Sequence, residues 1–231
     1  MRKRGVIVVV GGEKRVAQFA LALSRLLKAR CVFCEAASGE PFLVGKRVAL
    51  ALVPKVFAYP FFCIAQDHAF TGGFVAGLVR SLSLFPYLFV LDAHLDLFSL
   101  PTPSFPVHRG NFLAYLLERE RFPEDRLFVC SDGATFRELG KRIATLPPGL
   151  FYLSWDVDFG FPEVAYFPGK VPCACLEELF ANFAACCRER KFRFLGGDLV
   201  ELNPKSIRDP LGFAFRVSRC LAPFFMEEEN V

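Results

Sequence analysis

No stretch of this chain supplies the roughly 20 uninterrupted apolar residues that a membrane helix needs. The best candidate, 69–91, carries Arg80 in its middle and is broken by Gly72, Gly73 and Pro86. The positive mean hydropathy of +0.35 therefore points to a buried helix followed by a buried strand. The apolar run 6–10 behind Met1-Arg2-Lys3-Arg4 is too short for a secretory leader, so a cytoplasmic protein is expected. The basic residues behind the net charge of +4 are scattered, without the aromatic interleaving of single-strand nucleic-acid binders. Neither a nucleic-acid nor a membrane partner is expected. Cys31 and Cys34 have redox-motif or zinc-knuckle spacing but no second such pair accompanies them, and nine cysteines is an odd number. Buried thiols are expected rather than a disulfide framework. After Val8-Val9-Val10-Gly11-Gly12 the full glycine pattern of a dinucleotide loop is missing. Repeats, low-complexity tracts and long linkers are absent as well, so residues 1–231 are expected to form a single domain.

What the chain does have is apolar mass: 53% hydrophobic residues against 23% charged, enough to offset the entropy of ordering it. Short runs rich in Val, Phe, Leu and Tyr alternate with segments of helical period, the pattern of βα units around a mostly parallel sheet. Strands are predicted over 5–10, 61–65, 87–92, 127–130, 151–156 and 192–198. Helices are predicted over 17–28, 73–81, 111–119, 135–143, 176–190 and 210–221. Two irregular loops, 97–107 and 159–173, follow predicted strands, and the carboxyl ends of strands are where open parallel sheets bind ligands.

The chemistry-bearing residues gather at those ends. Asp92-Ala93-His94-Leu95-Asp96 follows an apolar strand, and residues two apart on an extended segment share a face, so three candidate ligands can point off one strand end. Asp156-Val157-Asp158 ends a second strand in the same way, and Asp67-His68 follows a third. The chain holds only three histidines, His68, His94 and His108, each at a predicted strand end or in the loop after one. Ionised carboxylates gather in a cleft only when a cation neutralises them or their pKa values rise. A set rich in oxygen, with two imidazoles and no thiolate, suits Mn2+ or a similar divalent ion better than a structural zinc.

In this order, Gln66-Asp67-His68-Ala69, Asp92-Ala93-His94-Leu95-Asp96, His108-Arg109-Gly110-Asn111-Phe112, Ser154-Trp155-Asp156-Val157-Asp158 and Gly197-Asp198-Leu199-Val200-Glu201-Leu202-Asn203-Pro204 resemble the motifs of the arginase/agmatinase/formimidoylglutamase (ureohydrolase) family. The resemblance runs from about residue 60 to the end of the chain, with an abbreviated amino-terminal part. It implies a three-layer α/β/α fold of the arginase/deacetylase type. It also implies two divalent metal ions, Mn2+ first among them, that share a hydroxide. One ion is expected on His68, Asp92, Asp96 and Asp156, the other on Asp92, His94, Asp156 and Asp158. By the same resemblance Glu201 holds the cationic group of the substrate, His108 binds substrate and shuttles a proton, Asp96 orients the hydroxide, and Asp198 lies near the substrate. A homo-oligomer is expected on this ground alone.

The chain departs from the family at several places. Ala65 and Gln66 replace two glycines before the first Asp-His, and Phe161-Pro162 stands where an Asp-Pro pair is usual. Pro172-Cys173-Ala174-Cys175 replaces a Pro-Glu-Pro-Gly-Gly stretch, and the loop 97–107 carries no charge to grip an amino-acid head group. The expected activity is metal-dependent hydrolysis of a C–N bond in a linear guanidine or amidine, agmatinase-like and releasing urea. The alternatives are a catalytically weak homologue with a binding or regulatory role and a deacetylase on the related fold.

Overall fold

The structure is a computed structural model, and it describes residues 5–34, 40–52, 59–94, 106–166 and 176–225. Asp96, most of the loop 97–107 and the segment 172–175 lie outside the described residues. The elements run β1 (Val6–Val10), α1 (Lys14–Leu26), β2 (Arg30–Cys34), α2 (Pro41–Leu52), β3 (Phe61–Ile64), α3 (Ala69–Leu82) and β4 (Tyr87–Leu91). They continue with α4 (Phe112–Glu118), β5 (Leu127–Cys130), α5 (Gly133–Ile143), β6 (Leu150–Asp156), α6 (Leu176–Glu189), β7 (Arg193–Val200) and α7 (Pro210–Phe225). All seven strands pair in parallel in one sheet of order β2-β1-β3-β7-β6-β4-β5.

Parallel strands buried on both faces must be apolar at nearly every position, and the short runs seen in the sequence meet that need. Phe62 and Ile64 of β3, Phe89 and Leu91 of β4, and Phe151, Leu153 and Trp155 of β6 enter one core with α1, α5, α6 and α7. Phe61 and Cys63, Leu88 and Val90, and Tyr152 enter the other, under α2, α3 and α4. The period of two sorts the layers, and the result is the expected α/β/α sandwich. Each fully buried Phe contributes on the order of 1.5–3 kcal/mol, and Phe19, Phe62, Phe70, Phe74, Phe89, Phe112, Phe151, Phe159 and Phe180 are all buried to that degree. Among the described residues no helix is long and apolar enough to cross a membrane.

Six strands were expected and seven are present. The addition is β2, a short edge strand with half-exposed residues, followed by α2. Edge strands lack the continuous apolar run that marks the central ones. The helix α2 opens with a proline at its first position, a start signal, but Gly45 interrupts its pattern. That glycine is required by packing. A Cβ there would overlap the carbonyl oxygen of Phe70 in α3, just as one at Gly73 would overlap that of Phe42 in α2. Cys31 and Cys34 lie on β2 in odd register, one packed toward each core, so their side chains point to opposite faces of the sheet.

Candidate metal centre

Four central strands, in the order β3-β7-β6-β4, deliver the site residues at their carboxyl ends. After β3 the chain turns into α3: the Asp67 carboxylate accepts the Ala69 N–H at 2.8 Å, and His68 takes the N-cap position. The backbone N–H of His68 donates to Glu201 Oε1 at 3.1 Å, tying this turn to the end of β7. After β4, Asp92 is held by its N–H to the Cys130 carbonyl at 3.0 Å. After β6, the indole of Trp155 donates to the Phe159 carbonyl at 2.8 Å, and Gly160, at φ 109°, closes the turn.

His68, Asp92 and Asp156 are buried together, and so are Asp92 and Asp158, with His94 half exposed over them. His68 Nδ1 stands 3.6 Å from Asp92 Oδ2 and 3.5 Å from Asp156 Oδ2. On the other side of Asp92, Oδ1 accepts the His94 N–H at 2.7 Å and lies 3.9 Å from His94 Nδ1, which is 2.6 Å from Asp158 Oδ2. Asp158 Oδ1 accepts the Ala93 N–H at 3.1 Å, and Asp156 Oδ1 accepts the Asp158 N–H at 3.0 Å. Two groups of potential ligand atoms result, one from His68, Asp92 and Asp156 and the other from Asp92, His94 and Asp158, each within 4.8 Å. Asp92 belongs to both, with one oxygen toward each.

The proton on His68 Nε2 follows from counting hydrogens. Tyr152, Ser154 and Thr71 surround the Asp198 carboxylate: the Tyr152 hydroxyl donates to Oδ2 at 2.5 Å, Thr71 Oγ1 to Oδ2 at 3.0 Å and Ser154 Oγ to Oδ1 at 2.8 Å. A serine hydroxyl has one hydrogen, so the 3.1 Å contact between Ser154 Oγ and His68 Nε2 uses the imidazole N–H. With Nε2 protonated, Nδ1 of a neutral ring turns a lone pair toward two carboxylate oxygens. That arrangement is met by a proton, on Nδ1 or on a facing carboxyl, or by a metal ion, and a hydrogen-bonded far nitrogen is the usual support of a metal-ligating histidine. The ring also lies against Phe112, 4.3 Å between centroids, which fixes its tilt.

Burial pushes the Asp156 carboxyl up to about 7, against the lowering effect of His68. His68 and His94 are the basic groups that face these carboxylates among the described residues. A divalent ion in each group would replace the repulsion among them with attraction, so the residues fit the metals that the motifs imply.

Asp198 is fully buried in β7 beneath His68, its oxygens taken by the three hydroxyls, so it supports the histidine from behind rather than facing the cleft. His108 is exposed in the turn before α4, where its Nδ1 accepts the Gly110 N–H at 3.1 Å and its own N–H donates to Asn111 Oδ1 at 2.8 Å. Glu201 is buried at φ 60°, and burial raises its carboxyl against the His68 N–H and the nearby Arg109. The other non-glycine residues at positive φ among the described residues, Lys28, Ser83, Arg121 and Lys191, all follow helices, where the left-handed conformation is a common end. Glu201 follows a strand, and a residue held in that region off a helix end marks a site under constraint.

Sequence reasoning missed Ser154, Thr71 and Tyr152 as supports and Arg109 as the partner of Glu201. Ser154 and Tyr152 precede Asp156 by two and four residues and share its face, and Thr71 lies one turn after His68, so the period was a usable signal. For Arg109, whose Nη1 donates to Glu201 Oε2 at 2.8 Å, the sequence carries no such signal.

No family model and no curated protein matches the sequence. Solved structures do. A hypothetical agmatinase from Burkholderia thailandensis superposes with a TM-score of 0.71 at 12% identity, over 96% of this chain and 84% of that one. Arginase from Bacillus cereus gives 0.64 at 14% identity, over 98% and 99% of the two chains. Formimidoylglutamase from Bacillus subtilis gives 0.65 at 14% identity, over 95% and 87%. With an all-parallel sheet of seven strands and this degree of superposition across nearly the whole chain, the protein has the fold of the ureohydrolase family.

Proposed function

We propose that the chain is a metal-dependent hydrolase that cleaves a C–N bond in a linear guanidine or amidine, agmatinase-like and releasing urea. The observation that carries this reading is the pair of ligand groups joined through Asp92 at the carboxyl ends of four adjacent strands. His68, Asp92 and Asp156 would hold one divalent ion, with Asp96 as a further ligand, and Asp92, His94 and Asp158 would hold the other, with Asp156 shared. Mn2+ suits this donor set. When bound, such a pair lowers the pKa of water and supplies a strong nucleophile near neutral pH, which a resonance-stabilised guanidinium carbon demands.

The remaining steps belong to the chain. Glu201, held by the His68 N–H, presents a carboxylate to the cationic group of the substrate and orients its central carbon toward the histidine side of the site. His108, one residue before Arg109 in the turn that reaches Glu201, would pass a proton to the leaving amine. Asp198 keeps the His68 tautomer through Ser154. The uncharged loop 97–107 favours an amine substrate without a carboxylate head over arginine. The test is urea release by Mn2+-loaded protein across a panel of guanidines, agmatine expected first. Absence of turnover with Mn2+, Co2+, Ni2+ and Fe2+ would contradict the reading.

A second reading, a metal-binding homologue with little turnover, is favoured by one observation: the carboxylate assigned to the substrate already carries the Arg109 guanidinium.

A further inference from the structure

The contact between Arg109 and Glu201 has no part in the catalytic steps given above. Glu201 has two oxygens, and both are engaged: Oε1 by the His68 N–H at 3.1 Å and Oε2 by Arg109 Nη1 at 2.8 Å. The two residues differ sharply in exposure. The Glu201 side chain is 6% exposed and that of Arg109 is 44% exposed, so a largely buried carboxylate is met by a guanidinium that stays partly in solvent. The backbone that carries it is pinned. Asn111 accepts the His108 N–H through Oδ1 and donates through Nδ2 to the Pro106 carbonyl at 3.2 Å, so the turn that carries Arg109 is braced on both sides.

A carboxylate oxygen already bonded to one guanidinium cannot take a second in the same direction, and the side chain of arginine is the same planar cation as the substrate class proposed above. We propose that Arg109 is a built-in competitor: its guanidinium occupies the cation-binding carboxylate of Glu201, and a guanidine substrate enters by displacing it. This rests on Glu201 being the cation-binding carboxylate of the amidinohydrolase reading. Arg109 is then a specificity-determining residue that raises the threshold for weakly bound cations, because only a ligand with further contacts in the site outcompetes a tethered group.

The experiment is a calorimetric titration of the full chain with butylguanidinium at fixed ionic strength, with and without Mn2+. Arg109→Gln is expected to bind the probe about tenfold more tightly than the parent chain, the size of one charge-assisted hydrogen bond no longer in competition. Arg109→Lys, which keeps the charge but loses the planar fork, is expected to fall between the two and serves if the glutamine variant folds poorly. Adding Glu201→Gln to Arg109→Gln should abolish the gain. Equal or weaker binding in the Arg109 variants would overturn the proposal, because an arginine that contacts the substrate directly, or one that only braces the loop, gives no gain on removal. Persistence of the gain without Glu201 would overturn it too, by placing the probe elsewhere. These readouts need no turnover, so failure of Mn2+ binding or urea release would sink the amidinohydrolase reading without deciding this one.

Discussion

Asp198 and Asp156 sit on neighbouring strands, two steps apart along one face of the sheet, since Ser154 pairs with Asp198 and Asp156 with Val200. Both are buried, and burial pushes both carboxyls up. They differ in how the surroundings answer the charge. Three hydroxyls donate to Asp198, so its acceptors are satisfied by the protein itself. Asp156 meets the Asp158 N–H on one oxygen and an imidazole on the other, with Asp92 and Asp158 close by. Burial of a carboxylate therefore does not by itself mark a metal ligand. The mark is a set of acceptors converging on one another, which the outer group of Asp92, Asp156 and Asp158 with His68 and His94 has and the inner group around Asp198 does not.

The largest effect is expected from Asp92→Asn, since Asp92 belongs to both ligand groups found among the described residues. Loss of both ions and of all urea release is expected, while the metal-free protein should become more stable because one buried like charge is gone. Calorimetry of the metal-free chains checks the second half. A metal-free variant less stable than its parent would show that Asp92 is held by donors in the manner of Asp198.

Next in size is the response to metal itself. An ion that binds only the folded chain, supplied at 100 times its dissociation constant, adds about 2.7 kcal/mol per site. Thermal melting should therefore shift upward by several degrees in Mn2+ and fall back in a chelator.

The inner group is tested by Ser154→Ala. The change strips the acceptor from the His68 N–H and one donor from Asp198, so a loss of about 1–3 kcal/mol in stability is expected. Because Ser154 sets the histidine tautomer, metal affinity should also drop by about 10–100-fold, whereas a purely structural hydroxyl would leave affinity alone.

The smallest effect supplies the surface reference. Asp132 caps α5 with a reciprocal box: its carboxylate accepts the Ala134 and Thr135 N–H groups at 2.9 and 2.7 Å. The Thr135 hydrogen bonds outweigh its slight burial and hold its carboxyl below the usual value. A depressed folded pKa contributes stability that is present above the unfolded value, about 4, and is lost as pH falls through the folded one. Asp132→Ala should cost about 1 kcal/mol at neutral pH. Denaturant melts of parent and variant should converge in acid below about pH 4, and a constant gap would contradict the cap.

How much of this was legible beforehand follows the same division. The grouping of the outer carboxylates and imidazoles was readable because they stand two apart at strand ends, where spacing alone puts Asp92 and His94, or Asp156 and Asp158, in one region. Their common approach to His68 follows from the order of the central strands, which alternating apolar runs imply only in part. The hydroxyl nest around Asp198 depends on the β6–β7 register and on one turn of α3, and neither is written in local pattern. The pair β2 and α2 was missed for the opposite reason: an exposed edge and a packing glycine remove the signals that mark the central elements. Arg109 was named within a motif, but its partner lies 92 positions away and reflects the path of a turn, not a periodicity.

The central claim is that the outer carboxylates and imidazoles hold a pair of divalent ions. The most direct test is native mass spectrometry of the chain equilibrated with excess Mn2+ and then desalted. The account predicts two ions per chain for the parent and none for Asp92→Asn. A parent chain that retains no metal, or an Asp92→Asn chain that retains both ions, would contradict it.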